Sequence, residues 1–366
     1  MRGPLAAGVV PPLAAFVLAR GVVWAASASV GLGVPGAADL SRHDSLLYLS
    51  IARHGFTIFA CPRPGGWCGN SGWMPAYPLL VSPFSAAGLS AMTVAAIVSA
   101  VFQLATLVLL WNGFWHGRVT AKNVAALACA AVFPGAIYYA AVFPLSLLTF
   151  LFLLGLYLAG QRRVAAAVVY AAAAATYPVG ILLGAAVGLR ESIPRGTIRE
   201  RGLRAAQAAG AGFAGLAAVS VVQRVTSGHW DSYVKVQRFY GHTGVDPLTT
   251  LRRAKAATLS FLQDPHRLDL VPSVQLLLTA AFVATVLVMA LASRRRADLV
   301  PALLVGGAWL MPLALGGVAL YRSDAALLPG LLVSRRLPPV AQVGFAVVAG
   351  LVAFQMDRLF FQSRLT

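Results

Sequence analysis

Asp44 sits in SRHDSLLYLSIARHGF, residues 41–56, a polar and amphipathic stretch that follows the first apolar run of an otherwise oily chain. From Ser41, a reasonable N-cap, the stretch reads as about four turns of helix closed by Gly55 at the C′ position. Asp44, Tyr48 and Ile51 share one helical face, while His43, Leu47, Ser50 and His54 share another. A carboxylate on a short helix at a membrane surface suits a general base that takes a proton from a hydroxyl held in a boundary cavity. The same placement suits an Asp that only caps or anchors the helix.

Two more polar runs bear on such a site. GHWDSYVKVQRFYGH, residues 228–242, sets Trp230, Tyr233, Gln237 and Tyr240 on one helical face, as an interfacial aromatic belt does. Its cations Lys235, Arg238 and His242 are suited to a lipid phosphate. ALYRSDAALLPG, residues 319–330, inserts Arg322 and Asp324, after Tyr321, between two apolar segments. Either that turn is merely solvated, or Arg322 grips a phosphate and Asp324 holds the arginine. Pro beside Tyr recurs in WMPAYPLL (73–80, with Tyr77), FPGAIYYAAVFP (133–144) and TYPVG (176–180, with Tyr177). Irregular backbone at bilayer depth is tolerated where protein or a water-filled cavity covers it. Singly each is an ordinary Pro-rich helix start; together the three read as a carved cavity.

The rest of the chain must hold these residues in a membrane. Apolar residues make up 59% and charged residues 11% of 366, with a mean hydropathy of +0.77, far from the roughly 25% charged of soluble domains. The net charge of +18 does not point to nucleic acid. Its arginines fall in clusters between apolar runs (162–163, 190–204, 294–296 and 335–336), the positive-inside pattern, next to anionic headgroups. The preference for Arg over Lys and the density of Ala, Gly and Val suggest a GC-rich bacterial genome. The first run, about 8–30, is too long for a signal-peptide core and is expected to remain as a span.

The expected fold is an all-α polytopic membrane protein, one domain over 1–366, without a defensible repeat or soluble domain. Roughly ten or eleven membrane segments should surround two large extracytoplasmic loops, about 32–72 and 224–270, that bear amphipathic helices. The first loop also carries Asp39, Arg42, Arg53 and Arg63. Between 73 and 190 two routings remain. Segment length favours two crossings within 73–114 and one long helix over 164–189. Charge favours a re-entrant 73–88 and a break at Tyr177–Pro178. Cys61 and Cys68 in the first loop suit a disulfide outside the cytosol or two free thiols, and Cys129 falls inside a span. Cys/His spacing offers no zinc site.

HDSLLYLSIARHGF resembles W-D-x-x-W-Y-L-x-I-A-x-x-G-Y, and WMPAYPLL resembles F-F-P-x-Y-P-L, patterns of bacterial relatives of the PIG-V type GPI-anchor mannosyltransferase. AVFPLSLLTFLFLL is similar to that family's A-x-Y-S-E-S-L-F-L-L, TYPVGILL to its T-R-P-x-G-L-L, and SDAALLP after Tyr321-Arg322 to its late R-Y motif. The resemblance runs in order over about 41–330. It implies a GT-C fold in a bacterial plasma membrane, with catalysis on the extracytoplasmic face. It also implies a polyprenyl-phosphate-sugar donor, usually of mannose, inverting transfer to a glycolipid, lipoglycan or protein, and no cofactor beyond the lipid-linked donor, with a divalent metal left open. Asp44 matches the family's acid, and Tyr48 and Gly55 its Tyr and Gly. His43 and Leu47 stand where the family has Trp, Pro144 and Leu145 near its Ser-Glu, and Tyr177 at its Arg.

On this reading Asp44 is the base and Arg322, Arg238 and Lys235 meet the donor phosphate. His43, Tyr48, His54, Tyr77, Tyr177, Gln237, Tyr321 and Asp324 surround the substrates. The rival readings are a lipid or glycolipid transporter or flippase and a catalytically inactive scaffold of envelope biogenesis. Transporters hold ionisable groups near the midplane between repeats, whereas these residues gather in loops.

Overall fold

The computed structural model describes residues 5–61, 66–159, 161–193, 197–240, 246–264, 266–293, 295–315 and 320–365. Arg63, His242 and Arg294 lie outside them. In chain order the helices are α1 (Leu5–Ser29), α2 (Ser45–His54), α3 (Ala76–Ala86), α4 (Ala91–Val108), α5 (Ala121–Ala131), α6 (Ile137–Ala140), α7 (Leu145–Leu158), α8 (Arg163–Thr176) and α9 (Ile181–Ser192). They continue with α10 (Ile198–Ser227), α11 (Ser232–Phe239), α12 (Pro247–Gln263), α13 (Val271–Ser293), α14 (Arg296–Ala314), α15 (Leu320–Ser323), α16 (Leu331–Ser334) and α17 (Pro339–Phe361). Between α2 and α3, β1 (Ile58–Ala60) pairs antiparallel with β2 (Trp67–Gly69), and Cys61 is disulfide-bonded to Cys68 beside that hairpin. Among the described residues six helices are long and apolar enough to cross a membrane, so the chain is an all-α, multi-pass membrane protein.

Side-chain contacts sort the connections onto two faces. Asn112, at the end of α4, donates to the Gly8 carbonyl at the start of α1 (3.0 Å). Asn123, which donates to the Arg118 carbonyl, also accepts from Arg335, and Arg336 pairs with Asp298 at the start of α14. Phe114 meets Tyr157 at the end of α7. Arg118, Lys122, Arg162, Arg163, Arg335 and Arg336 therefore share the face of the N-terminus. The loops around α2 and α11 and the run 320–324 occupy the other face.

These contacts decide the routing between 73 and 190. Tyr77 donates to the Ala95 carbonyl, one turn inside α4 (2.8 Å), so the chain dips in before α3 climbs back out. At Tyr177 the backbone is extended (φ −158°, ψ 149°) because the residue before proline is pushed out of the α region. There α8 turns back into α9, so closely that a Cβ at Gly180 would run into the Ala173 carbonyl. The single helix over 164–189 that length favours is thus replaced by a helical hairpin. Lipid tails give packed helices no hydrophobic drive to associate, so close contact comes from small residues. Along α9 and α10, Gly188 faces Ala205 and Gly212 faces Ile181, with a Cβ at either glycine only 2.9 and 3.3 Å from the facing carbonyl.

Candidate active site

The α2 segment begins later than Ser41 predicts. Arg42, His43 and Asp44 form a turn, with His43 held at φ 55°, a conformation that only surrounding contacts sustain in a non-glycine residue. Its ring lies edge-on to Phe360, 5.7 Å between centroids. α2 then spans ten residues, Ser45–His54, and Gly55 (φ 72°) ends it as expected. Asp44 occupies the N-cap position but makes no side-chain capping bond. Its Oδ2 instead accepts from Nη1 of Arg322, 278 residues along the chain. The capping alternative for Asp44 therefore fails, and so does the pairing of Asp324 with Arg322. Asp324 is buried and accepts from Nε2 of Gln275 (2.8 Å).

Arg322 is 9% exposed and Asp44 30%. The guanidinium carbon lies 5.8 Å from the ring centre of Phe143 and 5.6 Å from that of Tyr321, favourable aromatic surroundings for a delocalised cation. The pair borders a cavity of about 480 Å³. The first loop gives it Asp44, Tyr48 and Gly72, and the segment that follows gives Trp73 and Met74; α11 and Tyr240 beyond it give Tyr233, Val234, Gln237, Arg238 and Tyr240. The tip of the α8–α9 hairpin gives Tyr177, Pro178 and Val179, and the region around the end of α14 gives Met311, Pro312 and Leu315, with Arg322 and Ser323 opposite.

Two of the three Pro–Tyr breaks therefore line the cavity, and the third stands behind it. Phe143 packs edge-on against both Tyr48 and Tyr138. The loops are tied together by buried and partly buried hydrogen bonds. Gln223 donates to the Ser71 carbonyl (2.8 Å), Ser232 donates to Gln223 Oε1 (3.1 Å), and Gln237 donates to the Gly72 carbonyl. Asn70 accepts from the Thr57 amide (2.7 Å) and donates to the Gly55 carbonyl (2.9 Å), fixing the end of α2.

Of the expected site residues, Asp44, Tyr48, Tyr177, Gln237, Arg238 and Arg322 reach the cavity. Lys235 points away, paired with Asp231 (3.0 Å) and 5.0 Å from the centre of the Trp67 ring. Tyr77 is buried behind Tyr48, bonded to α4, and His54 is exposed at the end of α2. Tyr321 flanks the guanidinium from outside the cavity lining, Asp324 turns to α13, and His43 stands beside Asp44 without lining the cavity. Sequence reasoning missed Trp73, Met74, Met311, Pro312, Leu315 and Ser323 as lining residues. Trp73 and Met74 lie in a quoted motif, but nothing in an apolar helix marks Met311 or Pro312. Tyr233 and Tyr240 were placed in the aromatic belt and line the cavity as well.

Electrostatics separate the titratable neighbours. Burial, with Arg322 and Arg42 adding to it against Asp44, pushes the His43 imidazole down to about 4, so it is neutral at ordinary pH. Burial first, then Tyr177 and Asp44, holds the Tyr48 phenol well above its usual value, so it serves as a neutral hydrogen-bonding group. Among the described residues no group of three or more His, Cys, Asp or Glu could hold a metal ion. The arrangement offers a carboxylate, an aromatic-flanked guanidinium and an exposed Arg238 around one space. It can hold an anion at Arg322 and a hydroxyl at Asp44. No protein-family model matches the chain, and no curated protein matches it either.

Proposed function

We propose that the chain is a membrane glycosyltransferase that moves a sugar, mannose by the resemblance, from a polyprenyl-phosphate donor to an extracytoplasmic acceptor with inversion. The observation that carries this reading is the meeting of Asp44 and Arg322 on one cavity wall. Supporting it, the short Arg-rich connections gather on the face of the N-terminus, which the positive-inside rule makes cytoplasmic and which leaves the cavity outside. The cavity face carries its cations on longer loops, mixed with Asp39, Asp231, Asp246, Asp264 and Asp269. Among the described residues the chain's course also reads as nine traversals (α1, α4, α5–α6, α7, α10, α13, α14, 320–337 and α17) with inlets at α3 and α8–α9, in keeping with a GT-C-like architecture.

In the reaction, the donor phosphate binds the Arg322 guanidinium and weakens its hold on Asp44. Asp44 takes the acceptor's hydroxyl proton as that oxygen bonds to the anomeric carbon. The bond from that carbon to the phosphate oxygen breaks, and the electron pair leaves with polyprenyl phosphate. Arg322 stabilises the added negative charge. Arg238 is the second cation available to a phosphate.

Binding of polyprenyl phosphate to detergent-purified wild type and Arg322→Gln tests the phosphate site. Loss of a charged hydrogen bond should weaken binding about tenfold or more. Equal affinities would remove Arg322 from the donor site, and translocation of a labelled lipid without bond cleavage would favour the transporter reading.

A further inference from the structure

Helix α12 stands apart from the cavity and is attached to the bundle along one side. Ala254, its buried residue, packs against Leu276 and Leu313, with Leu251, Leu277 and Trp309 at the margin. Leu276 lies five residues into α13 and Leu313 one residue from the end of α14. At 1.5 Å per residue, this contact sits between about 2 and 8 Å inside those helix ends.

The face of α12 about 120° round the axis from Ala254 is unpartnered and chemically specific. Leu248, Leu259 and Leu262 are 59%, 52% and 69% exposed. Arg252 and Lys255 lie between them along the axis, and at 3.6 residues per turn the five side chains fall within an arc of about 80°. Arg252, Arg253 and Lys255 are exposed and take part in no ion pair among the described residues. A helix held at this depth, with leucines at both ends of a cationic centre, matches the headgroup–acyl boundary, where Lys and Arg stems lie along apolar surface and their charged ends reach phosphates.

We infer that α12 is an interfacial helix that seats its leucines in the leaflet on the cavity face and recruits anionic lipid headgroups through Arg252 and Lys255. The region of α14 that supports α12 through Leu313 also gives Met311, Pro312 and Leu315 to the cavity wall. The recruited lipid therefore stands beside that wall. This role does not require sugar transfer, so its test reads lipid alone.

The full-length protein is reconstituted in nanodiscs of phosphatidylcholine containing 30% phosphatidylglycerol, as wild type and as Arg252→Gln/Lys255→Gln. Retained phosphatidylglycerol is counted by native mass spectrometry after extraction. At about fivefold per cation, the double variant should lose about 25-fold in apparent affinity. Arg267→Gln, which removes an exposed cation already paired with Asp269 (2.8 Å), should not change it. A polarity-sensitive dye on Leu259→Cys or Leu262→Cys should be quenched by lipids brominated high in the acyl chain; the native cysteines are buried or disulfide-bonded and escape labelling. Equal phosphatidylglycerol retention by wild type and double variant, or dye spectra of a water-exposed site, would overturn the inference.

Discussion

The asymmetry of the Asp44–Arg322 pair makes a quantitative prediction. Arg322 is 9% exposed and Asp44 30%, so the two ends of the pair differ in what their loss leaves behind. Asp44→Ala strands a buried guanidinium with no carboxylate. Removing one partner of a buried pair costs about 3–5 kcal/mol, and water in the adjoining cavity brings the expected figure to the lower end, about 3. Arg322→Met replaces the cation with an apolar chain and leaves Asp44 open to cavity water, for a cost of about 1 kcal/mol. The double variant has no stranded charge and should cost about 2 kcal/mol, which gives a coupling of about 2 kcal/mol. Unfolding by sodium dodecyl sulfate in mixed micelles, followed by tryptophan fluorescence, measures all three against wild type. Single costs that add to within about 0.5 kcal/mol in the double variant would refute the pairing as an energetic unit.

Gly180→Ala should destabilise by about 2 kcal/mol or more, because its Cβ meets the Ala173 carbonyl across the hairpin turn. Gly210→Ala, with nothing within 4 Å on α10, should be neutral or gain up to about 1 kcal/mol in the same unfolding assay. His43 is held near 4 in the fold, below its ordinary 6.5. Its neutral form therefore contributes stability that is complete above about pH 6.5 and is lost as pH falls through about 4. His43→Phe should flatten the stability profile in that acid window, and an unchanged profile would contradict the burial argument.

The membrane class was legible because spans need only length and apolarity, and Asp44, Tyr48, Tyr177, Gln237, Arg238 and Arg322 were legible because polar groups in an oily chain are few. Partnership was not legible. Asp324 lies two residues from Arg322, and local spacing suggested a pair, whereas the tertiary fold brings Asp44 across 278 residues and gives Asp324 to Gln275. The start of α2 was misplaced because a histidine at positive φ leaves no compositional mark. Met311 and Pro312 face the cavity from within an apolar helix, where composition does not distinguish a lipid-facing side from a cavity-facing one. Two routings of 73–190 fitted length or charge, and only contacts such as Tyr77 with Ala95 and Asn112 with Gly8 separated them.

Transfer itself is the decisive measurement. Purified wild type and Asp44→Asn are supplied with polyprenyl-phosphate-mannose and a membrane glycolipid fraction, and released polyprenyl phosphate and mannosylated product are followed together. A positioned base is worth about 10²- to 10⁴-fold, so wild type should release both in equal amounts and Asp44→Asn should fall by at least about a hundredfold while still binding polyprenyl phosphate. Equal turnover by the two proteins, or none by a folded wild type across several donors and acceptors, would contradict Asp44 as the base of a sugar transfer.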